Sequence, residues 1–158
     1  MFRRPANPIR GFDDAVTRVR AAAQAARGRI VLTGRTDNFL HGRDDLDDTI
    51  RRLTAFADAG ADVLYAPLPP DMAAVKAIVQ AVAPKPVNLV VGTKSGIPTV
   101  AELSQAGVKR ISTGSALYTH LAAELQAAAT ALTQGDLATA TTGMSARDVD
   151  ALLADAQD

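Results

Sequence analysis

The sequence predicts an α/β fold of four parallel β/α units preceded by one helix, and three observations predict it. Helical and strand-like hydrophobic periods alternate along the chain. The strand-like runs are apolar on both faces, as parallel strands covered by helices are. A helix–Gly–strand joint also recurs: Phe56-Ala-Asp-Ala-Gly-Ala-Asp-Val-Leu-Tyr65 aligns with Leu103-Ser-Gln-Ala-Gly-Val-Lys-Arg-Ile-Ser112, and more loosely with Ala26-Arg-Gly-Arg-Ile30.

The first helix runs from Asp13 to Arg27, with Val16, Val19, Ala23 and Ala26 on one face, and Gly28 closes it. The apolar run Ile30 to Gly34 is the first strand. Asp45 caps the second helix, and Asp48 sits in its first turn at the positive end of the helix. Ile50, Leu53 and Phe56 turn to the core, and Gly60 ends the helix. Asp62 to Ala66 is the second strand. Pro67, Pro69 and Pro70 mark a loop, with Pro70 placed to open the third helix. That helix, Asp71 to Ala83, supplies Met72, Val75, Ile78, Val79 and Val82 before Pro84-Lys-Pro86 stops it. Val87 to Val91 is the third strand, followed by the loop Gly92-Thr-Lys-Ser-Gly96. Thr99-Val-Ala-Glu102 matches a capping box, whose side chains satisfy orphan amides reciprocally. Its short helix ends at Gly107, and Val108 to Thr113 is the fourth strand. Gly114-Ser115 leads into an Ala-rich helix to Gln134, whose stripe from Ala116 to Ala131 reads as core or helix–helix packing. Ser145-Ala-Arg-Asp148 resembles a second capping box and opens a terminal helix. The expected organisation is an N-terminal arm (1–12), a leading helix with four β/α units (13–134), and a linker with a terminal helix (135–158).

Composition narrows the function classes. The 158 residues carry 17 Lys+Arg against 17 Asp+Glu, so the chain lacks the basic surplus that a sequence-independent grip on nucleic acid or anionic membrane needs. With 47% hydrophobic residues the chain can build a core. The absence of Cys excludes disulfides, thiolate metal sites and cysteine nucleophiles. Two His without an HExxH pattern leave little for zinc, and His41 and His120 read as surface residues. No apolar stretch approaches the ~20 residues of a membrane span, and the positive N-terminus lacks a signal-peptide core. A soluble, cytoplasmic protein is expected.

Four β/α units suit either a small open sheet with helices on both faces or half of a (β/α)8 barrel, and periodicity alone does not separate them. A resemblance does. Thr33-Gly-Arg-Thr-Asp-Asn-Phe-Leu-His-Gly42, Asp45-Leu-Asp-Asp-Thr-Ile-Arg-Arg52 and Ala59-Gly-Ala-Asp-Val-Leu-Tyr-Ala-Pro67 resemble the isocitrate lyase/phosphoenolpyruvate mutase superfamily. Pro86-Val-Asn-Leu89, Pro98-Thr-Val-Ala-Glu-Leu103 and Gly107-Val-Lys-Arg-Ile-Ser-Thr-Gly-Ser-Ala-Leu117 continue it in the family's order, closest to its phosphonomutase-like and methylisocitrate-lyase-like branch. The resemblance implies a TIM-type barrel that binds Mg²⁺ and stabilises a pyruvate-type enolate while a C–C or C–P bond breaks or forms. It reaches only the family's second half. The family's Asp-rich metal site and its mobile loop with a Lys-Cys-Gly-His-like motif have no counterpart in these residues, so the resemblance implies a half barrel without Mg²⁺ ligands that is inactive, or nearly so, alone.

Substrate-side groups remain. Arg35 stands at the C-terminal end of the first strand, where barrel sites are built, and its planar fork suits a carboxylate. The resemblance gives the matching Arg that role; the alternative is a rim Arg paired with Asp37. Asn88, a polar amide inside a buried run, needs partners, either at a site or on neighbouring backbone. Asp37 orients Arg35 or caps a turn. Gly114 and Ser115, at the end of the fourth strand, are rim candidates, Gly114 serving close ligand approach or a tight turn. Where some family members carry a polar residue at the end of the second strand, this chain has Ala66 and Pro67. Gly92-Thr-Lys-Ser-Gly96 departs from the P-loop order and reads as a plain strand-to-helix loop. The expected partners are a small carboxylate and a second barrel half, either another copy or a complementary chain, because a half barrel leaves two unpaired strand edges.

Overall fold

The computed structural model describes residues 8–92 and 98–155, which form two compact units, one ending at Gly114 and one beginning at Ser115. In the first unit, α1 (Phe12–Ala26) is followed by β1 (Thr33–Arg35), α2 (Leu46–Asp58), β2 (Val63–Tyr65), α3 (Met72–Ala81), β3 (Val87–Val90), α4 (Val100–Gln105) and β4 (Arg110–Ser112). A short 3₁₀ turn, Phe39–His41, lies between β1 and α2. The Gly92 to Gly96 loop falls almost wholly outside the described residues.

The four strands are parallel, in the order β1-β2-β3-β4. That order decides between the two architectures. An open doubly wound sheet reverses its strand order at a switch point. Uninterrupted sequential order with right-handed crossovers puts every connecting helix on one face, as in a barrel wall. The sheet is therefore half of a (β/α)8 barrel.

Side chains alternate across it. Gly34 registers with Leu64, Leu64 with Val87, and Leu89 with Ile111 on the helix side. There Leu64 and Val87 join Leu53, Phe56, Ile78 and Val82 in one core cluster, and Leu89 joins Val75, Leu103 and Val108 in a second. Leu53, Leu64 and Leu103 are fully buried. Truncating such a Leu to Ala costs ~2–5 kcal/mol.

Local chemistry sets the helix starts. Asp45 accepts from the Asp48 amide at 2.8 Å, and Asp71 from the Ala74 amide at 2.8 Å. The Thr99–Glu102 capping box closes in both directions, at 3.2 and 2.7 Å. Two expectations shift. The Asp71 cap starts α3 at Met72, leaving Pro70 outside the helix. The first strand begins not at Ile30 but at Thr33, because the Arg29 and Ile30 amides turn back onto the Ala26 carbonyl. Ile30 and Val31 are consequently exposed.

Gly60 and Gly107 occupy the recurring joint and have φ of +105° and +90°. A Cβ on Gly60 would lie 2.9 Å from Ala23 Cβ, and one on Gly107 2.8 Å from Val79 Cγ1. Each joint thus needs glycine both for its left-handed backbone and for the helix seated against it.

The second unit holds α5 (Ala116–Thr133), α6 (Leu137–Ala140) and α7 (Ala146–Asp155). The turn after α5 closes by the Asp136 amide donating to the Ala131 carbonyl, and Asp136 then caps α6. Ser145 accepts from the Asp148 amide at 3.2 Å and opens α7. Within the second unit, Ala131 alone of the stripe from Ala116 to Ala131 is buried, where α6 packs back on α5. No described helix is long and apolar enough to cross a membrane.

The first unit is tied together by a buried polar hub. Asp48, read from sequence as a helix-dipole residue, is 6% exposed and accepts from Arg52 Nε at 2.6 Å, Arg51 Nη2 at 2.7 Å and Asn38 Nδ2 at 2.9 Å. Asn38, fully buried, accepts in turn from Thr36 Oγ1, and Arg52 reaches the Arg10 carbonyl at 3.0 Å. Burial alone would raise the Asp48 pKa; the hydrogen bonds from Arg51, Arg52 and Asn38 outweigh it and hold the carboxyl far below the usual carboxylate range. Its stabilisation is complete above the unfolded carboxylate pKa near ~4 and is lost as pH falls below that toward the folded value. Asp48→Asn leaves the buried Arg52 cation uncompensated, so denaturant titration should show a loss of ~3–5 kcal/mol at neutral pH and a shallower acid limb.

Candidate functional site at the open face of the sheet

The register that puts apolar side chains on the helices puts a polar row on the opposite face. Arg35 pairs with Tyr65, Tyr65 with Asn88, and Asn88 with Arg110, one residue per strand. In parallel strands, register partners point to the same side. The row therefore lines what is the interior of a complete barrel.

Arg35 ends β1. Its guanidinium carbon lies 5.1 Å from the Tyr65 ring centroid, a cation–π distance, and its Nε donates to Asp37 Oδ1 at 2.5 Å. The Asp37 pairing anticipated as an alternative is thus present, and it is made through Nε. The loop carrying Asp37 is fixed from behind, since Thr36 and Asn38 on either side are buried in the Asp48 hub.

Tyr65 is half-buried. Burial pushes its phenol above its ordinary pKa; nearby Arg35 and Arg110 pull it down, and Asp37 pushes it up. The hydroxyl is a protonated donor at neutral pH. Asn88, 1% exposed, donates from Nδ2 to Ser112 Oγ at 3.1 Å and accepts on Oδ1 from Arg110 Nη1 at 3.0 Å. Its partners are side chains of β4 rather than neighbouring backbone. This pairing fixes the amide orientation, because only the oxygen can accept from Arg110.

Gly114 follows β4 with φ of +54° and is exposed, the conformation of a turn. Ser115 belongs to the second unit, where it precedes α5 without capping it through its side chain. His41 and His120 are exposed. The sequence reading placed Ser112 near the mouth with Gly114 and Ser115 but passed over Arg110. The signal was there: a charged residue and a hydroxyl alternate at positions 110 and 112 of a strand predicted to be buried.

A family model for phosphoenolpyruvate phosphomutase matches residues 3–133. The chain belongs to this family. Among solved structures, a candidate lyase/mutase from Burkholderia cenocepacia J2315 is 44% identical with a TM-score of 0.84, the match covering 93% of this chain and 54% of that one. A 2,3-dimethylmalate lyase of the PEP mutase/isocitrate lyase superfamily is 26% identical at a TM-score of 0.70, with 94% and 55% covered. Oxaloacetate acetylhydrolase in complex with its product oxalate is 26% identical at 0.77, with 94% and 53% covered. No curated protein matches the chain. The chain spans about half the length of these phosphomutase-family structures.

The Mg²⁺ that the family resemblance implies does not fit the groups described here. Among the described residues no three His, Asp or Glu side chains gather in a metal-binding cluster. Asp37, the carboxylate beside the row, is committed to Arg35. An octahedral cation held by carboxylates would meet two guanidinium groups instead.

The Asn88 assignment carries its own check. Asn88→Ala removes an acceptor from Arg110 and a donor from Ser112 in a buried site, so chemical denaturation should show a loss of ~1–3 kcal/mol. Ser112→Ala, which strands only one amide proton, should cost less than Asn88→Ala in the same measurement.

Proposed function

We propose that this chain forms the substrate-carboxylate wall of a lyase- or phosphonomutase-type site, in which Arg35 holds the carboxylate of a small 2-oxo or 2-hydroxy acid. The observation that carries this reading is Arg35 itself. It stands at the C-terminal end of a barrel strand, where active sites of this fold are built, and is oriented by Asp37 on Nε and by the Tyr65 ring beneath. A guanidinium held from two sides loses less freedom on binding a planar carboxylate than a free one. The carboxylate-bearing ligand named for one relative, oxalate, supports the same class.

Bond cleavage through an enolate also requires a group that stabilises developing negative charge and an acid or base within reach. Tyr65 is a donor, but the described residues supply no base positioned for such a step. We therefore assign the chain binding without turnover, with Mg²⁺ and the missing chemistry supplied by a complementary barrel half. The outer edges of β1 and β4, unpaired among the described residues, favour association of that kind, with a second copy of this chain as the competing partner.

Oxalate or pyruvate should raise the melting temperature of the chain, and Arg35→Ala should weaken binding about 10- to 100-fold, the worth of a charge-assisted pair. A shift that survives Arg35→Ala unchanged would move the site elsewhere. Light scattering over a concentration series should separate the partners: a constant monomer mass argues for a different chain as the second half, and a mass that doubles with concentration argues for a second copy.

A further inference from the structure

We propose that a cavity at the N-terminal end of the strands, opposite to the end that carries Arg35 and independent of its reading, binds an oligophosphate anion through Arg20, Arg27 and Arg29. The cavity measures about 630 Å³, within the ~300–1,000 Å³ usual for small-molecule sites. It lies where the turn from α1 into β1 meets the joint from α2 into β2. Arg20, Ala23, Gln24 and Arg27 line it at the spacing i, i+3, i+4, i+7, which is one face of a helix. That spacing puts a cation at each end of the last two turns of α1, ~10 Å apart along the axis. Gly28, with φ of +71°, then turns the chain so that Arg29 lines the same cavity.

The fold gives these three guanidinium groups no task of their own. Nearby Arg10 and Arg18 both pair with Asp14, whereas Arg20, Arg27 and Arg29 make no ion pair among the described residues. Basic side chains near a helix C-terminus can hydrogen-bond its last carbonyls. Here the backbone does so instead, the Arg27 amide donating to the Ala23 carbonyl at 3.1 Å and the Arg29 amide to the Ala26 carbonyl at 2.9 Å. Gly28 and Val31, also in the lining, have amides without a hydrogen-bond partner among the described residues, and such amides are further anion donors. Two carboxylates oppose them. Asp62 accepts from the Leu32 amide at 2.8 Å, and Asp58 has no partner among the described residues. The lining keeps a positive balance, three cations against two anions. Cations strung along two helical turns match an anion charged along its length, and each of its phosphates presents oxygens to an arginine fork.

Calorimetric titration of the full chain with tripolyphosphate, with orthophosphate as the short reference, tests this at ~0.15 M salt, where distant surface charges are screened. Tripolyphosphate should bind about tenfold or more tighter than orthophosphate, the worth of one added charge-assisted contact. Arg27→Gln and Arg29→Gln should each weaken it about tenfold. Arg18→Gln, the same loss of charge outside the cavity, and Arg35→Ala should leave it almost unchanged. Asp58→Asn should tighten it, a gain that damage to the fold does not produce. ATP distinguishes the two sources of such an anion. Binding tighter than tripolyphosphate assigns the cavity to the phosphate tail of a nucleotide, whose apolar part meets the exposed Ile30 and Val31; equal or weaker binding assigns it to free oligophosphate. The proposal is overturned if tripolyphosphate shows no measurable binding, if Arg27→Gln and Arg29→Gln bind it as the wild type does, or if Arg18→Gln loses as much as they do. The Arg35 reading is judged separately, by oxalate or pyruvate and Arg35→Ala.

Discussion

The carboxylate of Asp48 is the point on which the first unit depends. Through it the start of α2, the segment at Arg10 and the loop after β1 meet in one buried site. Arg51 extends the connection by lying 4.2 Å over the Phe12 ring at the start of α1. A buried anion is tolerated only where its lone pairs are filled, and here three donors fill them. The arrangement converts a local helix-start residue into a clamp on the loop that presents Arg35 and Asp37. Stability of the fold and orientation of the candidate site therefore share one electrostatic element.

The sequential strand order has a chemical consequence. Helices on one face bury Leu64, Val87 and Leu89; the register puts Arg35, Tyr65, Asn88 and Arg110 on the other. The apolar core is on the helix side, and the row on the opposite face is polar. In a complete barrel such a row is enclosed, its charges strengthened by the lower dielectric.

Much of the fold was legible because it is encoded locally. The caps at Asp45 and Thr99 and the apolar spacing of Leu53 and Phe56 each act within one helix, and the structure places them as that spacing requires. Edges were less legible: Ile30 and Val31 read as strand, but the backbone turn onto Ala26 keeps them outside the ladder. The site was legible in half. Arg35 and Asn88 stood out as single residues at strand positions, whereas Arg110 acquires its meaning only from β3–β4 register, a contact between residues 22 apart in sequence. The Asp48 hub escaped for the same reason, since Asn38 and Arg10 come to it from outside its helix.

The two glycine joints show how the wall is spaced. At Gly60 the neighbouring helix presents Ala23, whose Cβ lies 2.9 Å from the position a side chain would take; at Gly107 it presents Val79, whose Cβ stands back at 4.0 Å while its methyl fills the gap. The sequence thus uses one socket with two plugs of different length. The helices are set at unequal depths from their joints, so neighbouring β/α units are not interchangeable modules: a unit cut from one place and pasted into the other would carry the wrong spacer for its socket.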